Sequence, residues 1–225
     1  HRYEVRERVN QNGEVESRLD EEKIVEIIDQ IKQNDIHTIA VGFLNSYANA
    51  IHEIKTKEII EQTLSNVKVT ISTEVSNEYR EYERFSTAVI NATLMPVIQT
   101  YITNLEKEIK KHGIETALYV MQSNGGMAKS TVVSDKPATI VESGPASGVI
   151  ASAWLGRQLG INDLISFDMG GTTAKAGTVR RGTPEVVPEY EVAGKIHMGR
   201  TIKGSGYPVR FPFIDLAECS AGGGT

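Results

Sequence analysis

Apolar and polar positions change their period several times along the chain. Residues 1–18 alternate and break at Asn12-Gly13, which predicts a β-hairpin. From Leu19-Asp20 onward, Ile24, Ile27, Ile28 and Ile31 recur at helical spacing, so a helix with one apolar face starts there and Asp20 is its expected N-cap. Ile36 to Phe43 reads as a short strand. A second helix is expected from about Ala48 to Leu64, with Ile51, Ile54, Ile59 and Ile60 as its apolar positions. Val67, Val69 and Ile71 then alternate as another strand. Helix, strand, helix, strand predicts a parallel α/β layer.

After Thr73 the pattern changes. Glu78 to Lys111 is helical almost throughout, and Pro96 is expected to divide it into two helices, because proline lacks the amide donor a helix interior needs. Gly113 suits the C-terminal cap. Leu118 to Met121 is a short strand followed by a Ser123-Asn124-Gly125-Gly126 turn. A helix over Val149 to Leu159 is entered through Gly144-Pro145 and closed by Gly160. The apolar run Leu164-Ile165-Ser166-Phe167 predicts a buried strand. Residues 180–215 read as strands and loops rich in glycine and proline. The change of character places a domain boundary near residue 74, giving segments 1–73 and 74–225.

Composition narrows the function classes. With 40% hydrophobic and 24% charged residues, a chain of 225 residues can fold around a real core. A net charge of −5 and no Lys/Arg block give no electrostatic case for nucleic acid. No apolar run approaches the roughly 18 residues of a membrane span, and His1-Arg2-Tyr3-Glu4-Val5 lacks the apolar core of a signal peptide. Cys219 is the one cysteine, so no internal disulfide or cysteine metal cluster forms, and a reducing cytoplasm is the expected location. The chain opens without methionine and stops in a glycine run, so a fragment truncated at both ends is expected.

The chemistry concentrates at Phe167-Asp168-Met169-Gly170-Gly171-Thr172-Thr173. Glycines in a tight turn leave no Cβ in the way, so amides can close around phosphate oxygens. Asp168 is then placed to hold magnesium, through water, or to orient an attacking water. A P-loop would continue with Gly-Lys-Ser/Thr and a helix. Here Ala174-Lys175-Ala176-Gly177-Thr178-Val179-Arg180 alternates like a strand. Strand, glycine turn, strand is the phosphate-binding hairpin of the actin, sugar kinase and heat-shock chaperone ATPases, although two glycines alone also fit an ordinary hairpin.

Several ordered motifs resemble the hydantoinase A/5-oxoprolinase family. Asp168 to Lys175 is similar to its DMGGTTAK signature. Ser123-Asn124-Gly125-Gly126, Glu142-Ser143-Gly144-Pro145-Ala146 and Ala221-Gly222-Gly223-Gly224 resemble further family motifs. Tyr82-Glu83-Arg84, with Ser86-Thr87 and Asn91-Ala92, resembles the helix that opens the family's second domain, and Val41 to Tyr47 the end of its first. The resemblance implies an actin-like ATPase (ribonuclease H-like) α/β fold with mixed sheets and flanking helices. It implies ATP and Mg as cofactors, and a hydrolase that opens a hydantoin or lactam ring after phosphorylation of a carbonyl oxygen. A ketone carboxylase subunit of the same family is the alternative; a sugar or acid kinase and a nucleotide sensor of the same fold are others. The implied partners are a small cyclic amide or ketone substrate and a second hydantoinase subunit, with no nucleic acid and no membrane. Such enzymes carry a first phosphate hairpin near their N-terminus, which is not found here, so the isolated fragment is expected to be inactive.

Gly170, Gly171, Thr172 and Thr173 are the candidates for phosphate binding; Gly222, Gly223 and Gly224 fit an adenosine-side loop, where absent side chains let a base or ribose lie against the backbone, and equally a flexible chain end. Asn124, Gly125 and Gly126 are weaker candidates for substrate or phosphate, and equally a turn. Ser143 and Gly144 fit either a helix cap or an anion site at a helix start. Glu142 is a candidate general base or a structural residue. Arg84, seven residues before Asn91 on one helix face, is a candidate for a substrate carboxylate or phosphate, or a surface or lobe-interface arginine. Lys175 alternates out of the hairpin within reach of a phosphate, while the resemblance gives that work to backbone amides. His37, His52, His112 and His197 form no ligand spacing; His197 is the one worth testing.

Overall fold

A computed structural model of the chain describes residues 1–197, 200–201, 204–220 and 222–224. These divide into two compact units, 1–99 and 100–225.

In the first unit, β1 (Arg8–Val9) and β2 (Val15–Ser17) form the hairpin expected around Asn12-Gly13. Helix α1 (Glu21–Gln33) starts where Asp20 accepts a hydrogen bond from the Lys23 amide at 3.0 Å. Its buried face is Ile24, Ile27, Ile28 and Ile31. Strands β3 (Thr38–Val41) and β4 (Lys68–Ile71) pair in parallel, joined through α2 (Ile51–Thr63). The α1 isoleucines meet Val41, Ile60, Val67, Val69 and Ile71 in one core. Each such side chain removed from water contributes about 1.5–3 kcal/mol.

Two helix expectations are corrected. Ile51 and Ile54 of α2 are exposed, and its buried residues are His52, Glu53, Thr56 and Ile60. A polar network turns the helix: Glu53 accepts from the Phe43 amide in the loop after β3 and from the Thr73 amide in the short helix after β4, and so holds its own face inward. Pro96 does not divide the second long helix. After the short α3 (Ser72–Val75), α4 runs unbroken from Glu81 to Lys111 with Pro96 inside it. Buried Ala92 and Met95 precede the proline, and Thr70 donates to the Met95 sulfur, so packing offsets the lost helical bond.

The second unit begins with a hairpin, β5 (Tyr119–Met121) and β6 (Met127–Lys129), then α5 (Ser130–Asp135) and a 3-10 turn at Pro137–Ile140. Helix α6 (Ser143–Gln158) leads through Gly160, at φ +73°, to β7 (Leu164–Met169) and β8 (Ala174–Arg180). Short strands follow: β9 (Thr183–Pro184), β10 (Val186–Val187), β11 (Tyr190–Val192), β12 (Ile196–His197), β13 (Arg200–Thr201), β14 (Tyr207–Val209), β15 (Phe213–Ile214) and β16 (Leu216–Cys219). The main sheet has the order β16-β8-β7, with antiparallel neighbours. Helix α6 covers one face of it through Ala146, Val149 and Ala153, packed against Val179, Leu164 and Leu216.

The strand β7 is not buried as its apolar run suggested. Ile165, Phe167 and Met169 are 73%, 63% and 53% exposed. β7 lies at the edge of the sheet, and these three side chains point away from the face that α6 covers.

Candidate functional site

The β7–β8 hairpin closes from Met169 to Ala174, and the Gly170 amide donates to the Thr173 carbonyl at 2.9 Å. The turn between them is open. Asp168, Gly170, Gly171 and Thr172 are exposed. Among the described residues the Gly171 and Thr172 amides and the threonine hydroxyls have no hydrogen-bond partner, and the Asp168 carboxylate has neither hydrogen bond nor ion pair. A methyl group at Gly171 would meet nothing within 4 Å, and its φ is not positive. The fold therefore does not require glycine at that position. A ligand lying against the backbone would.

The 222–224 run lies on this turn. β16 pairs with β8 so that Cys219 sits beside Ala174, which delivers the glycines to the turn. Gly223 donates to the Gly170 carbonyl at 3.0 Å and Gly224 to the Gly171 carbonyl at 2.9 Å. A Cβ at Gly222 would collide with the Thr172 amide and the Gly171 carbonyl, so close approach excludes any side chain there.

A charged row runs beside the turn. Glu218, Lys175 and Asp168 are register partners on successive strands. They share the face that α6 covers, because Gly177, two residues from Lys175, takes the Val149 side chain against its Cα. Lys175 Nζ lies 2.5 Å from Glu142 and 3.7 Å from Glu218. Tyr190 donates to Glu218 at 3.3 Å. Burial, then Glu142 and Glu218, push the Tyr190 hydroxyl well above its ordinary value, so it stays a protonated donor.

Glu142 is also the N-cap residue of α6, and its amide donates to Ser123 Oγ at 3.1 Å. Ser123 in turn donates its amide to Thr139 and accepts from the Ile214 amide. The 123–126, 142–146, 168–175 and 222–224 motifs are thus joined by direct contacts within the second unit.

Individual candidates land differently. Ser143 does not cap α6: the helix starts one residue earlier than the Ser-Gly-Pro pattern suggests, which makes Ser143 its first residue. Asn124 accepts from the Gly126 amide at 2.8 Å, and Gly125 has φ +83° with Ile150 against its Cα, so this turn packs on α6. Arg84 is 1% exposed in the first unit; it donates to Ser72 Oγ and to the Glu78 and Phe43 carbonyls, which is a structural use of its donors. His52 pairs with Glu7 at 2.8 Å. The side chain of His197 lies outside the described residues.

Glu218 and Tyr190 were missed from sequence. Glu218 had one signal, its alternation in the strand ahead of the glycine run. Nothing local marks Tyr190.

Comparison with known proteins bears on these motifs directly. Residues 84–225 match the hydantoinase/oxoprolinase family, and residues 1–64 match the hydantoinase/oxoprolinase N-terminal region. The chain belongs to the hydantoinase/oxoprolinase family. It is 52% identical to an uncharacterized protein of Methanocaldococcus jannaschii, over 100% of this chain and 33% of that one. It is 30% identical to the caprolactamase alpha subunit of Pseudomonas jessenii, over 97% of this chain and 30% of the subunit. The crystal structure of the ATP-dependent caprolactamase from that organism superposes with a TM-score of 0.81 at 29% identity, covering 98% of this chain and 30% of that chain. A nucleotide-free acetone carboxylase shares the fold, with a TM-score of 0.79 at 22% identity over 97% of this chain and 29% of that one. The chain spans about a third of the length of these relatives.

Proposed function

We propose that this chain carries one half of the nucleotide site of an ATP-dependent enzyme that opens a cyclic amide, on an actin-like ATPase fold. The observation that carries the reading is the open turn at 170–173, with the Gly171 and Thr172 amides unpaired, an unpaired Asp168 beside it and the glycine run seated against it. Backbone donors of that kind suit phosphate oxygens.

ATP, when bound, supplies a phosphoryl group that makes an amide carbonyl easier to attack. The chain's own residues bind and orient. The amides of Gly171 and Thr172 and the hydroxyls of Thr172 and Thr173 hold the phosphate tail. Asp168 would hold Mg2+ through water: it is a lone carboxylate, and among the described residues no cluster of three or more acidic, His or Cys side chains gathers to cage a metal. Gly222, Gly223 and Gly224 give the adenosine side a surface free of side chains. In this reading residues 1–73 belong to a first domain and 74–225 to a second, and the enzyme is cytoplasmic and works with a second subunit. The family, and a relative named for lactam cleavage at 30% identity, support the substrate class.

The test is ATP hydrolysis by the intact protein, offered hydantoin, 5-oxoproline, caprolactam, a ketone with bicarbonate, and simple sugars. Stimulation by a cyclic amide, abolished in Asp168→Ala, is the expected result. Stimulation by a ketone alone would reassign the protein to the carboxylases, and by a sugar alone to the kinases.

A further inference from the structure

Asp168 and Lys175 face each other across the β7–β8 ladder on the same face of the sheet. Opposite charges at that spacing, with Cβ atoms about 5 Å apart, ordinarily pair. Here they do not. The lysine turns to Glu142 at 2.5 Å and to Glu218 at 3.7 Å, and Asp168 has no ion pair among the described residues. The two glutamates come from separate elements, the N-cap of α6 and strand β16. Their side chains are 12% and 27% exposed, against 15% for Lys175, so the lysine is held where water screens little. Tyr190, also against Glu218, braces the same group from β11.

We infer that Glu142 and Glu218 are positioning residues that hold Lys175 away from its cross-strand partner, and so keep the Asp168 carboxylate free for a hydrated divalent cation. This rests on Asp168 serving Mg2+ as proposed above. A lysine released onto Asp168 would neutralise it and compete with the cation for the same oxygens. The ion pair then acts on the site through Lys175, with neither glutamate touching the ligand.

The experiment compares ATP affinity of the intact protein by calorimetry, with and without Mg2+, in Glu142→Gln, the Glu142→Gln/Glu218→Gln double variant, Lys175→Met and the triple combination. The double variant should lose at least roughly tenfold of the Mg2+-dependent gain in affinity, the scale seen when residues behind a metal ligand are removed. Lys175→Met should keep the wild-type gain, and adding it to the double variant should restore that gain. A merely structural ion pair predicts the opposite: Lys175→Met as damaging as the glutamate changes, with no restoration. A nucleotide-free crystal structure of the double variant supplies a second readout, with Lys175 Nζ within about 4 Å of Asp168 expected. An unchanged Mg2+ dependence in the double variant, while Asp168→Ala abolishes it, overturns this inference alone. An unchanged dependence in Asp168→Ala overturns the reading beneath it.

Discussion

The two units treat a key carboxylate in opposite ways: Glu53 is buried and fully engaged, while Asp168 is exposed and, among the described residues, unpaired. In the first, Glu53 is fully buried and accepts from the Phe43 and Thr73 amides and the Ser72 and Thr73 hydroxyls. Arg84 shares Ser72 with it and donates to the Glu78 and Phe43 carbonyls. Burial lowers the Arg84 pKa, while Glu53 and Glu81 raise it. The carboxylate's oxygens are both engaged, and the network ties the ends of β3 and β4 to α4. In the second unit, Lys175 is engaged by two glutamates while Asp168, its strand partner, is left open beside unpaired amides. A satisfied buried network stabilises a fold. A carboxylate left open next to a lysine that is already occupied is poised for something that arrives later.

The contrast breaks most sharply at Arg84. Arg84→Ala leaves the Ser72 hydroxyl and the Glu78 and Phe43 carbonyls without their buried donor and should cost about 3 kcal/mol or more in urea denaturation of the chain. A cost under about 1 kcal/mol would mean the network holds little. Gly177→Ala, which drives a methyl group into Val149, should cost about 1–3 kcal/mol in the same assay. Gly171→Ala separates stability from binding. It should change stability by no more than about 0.5 kcal/mol, since nothing lies within 4 Å, yet weaken ATP binding by the intact protein. Equal ATP affinity would remove Gly171 from the site. The smallest effect concerns Tyr190. Its folded pKa is raised above the ordinary 10.0, so the unfolded chain gives up the proton first. Stability is then present below about pH 10 and lost as pH rises through the folded value. Tyr190→Phe should flatten that alkaline decline in a pH series of thermal melts.

Local chemistry was legible in the sequence wherever one element decides its own fate. The α1 isoleucine stripe, the Asp20 cap and the strand–turn–strand at Asp168 belong here. Burial was harder, because it depends on neighbours. Ile51 and Ile54 look like a core face, but Glu53 finds four donors and claims the interior. Leu164 to Phe167 looks like a buried strand, and only the sheet order shows it to be an edge. Pro96 marks a break that packing overrides. The motifs were visible one by one. Their meeting was not, since the register that puts Cys219 beside Ala174, and Glu218 beside Lys175, is written in no local pattern.

Whether the turn after Asp168 receives the phosphate tail of ATP is decided by a structure of the intact protein with Mg2+ and a non-hydrolysable ATP analogue. Phosphate oxygens accepting from the Gly171 and Thr172 amides, with the metal's water shell against Asp168, are the expected result. Nucleotide bound elsewhere, with those amides still facing solvent, would contradict it.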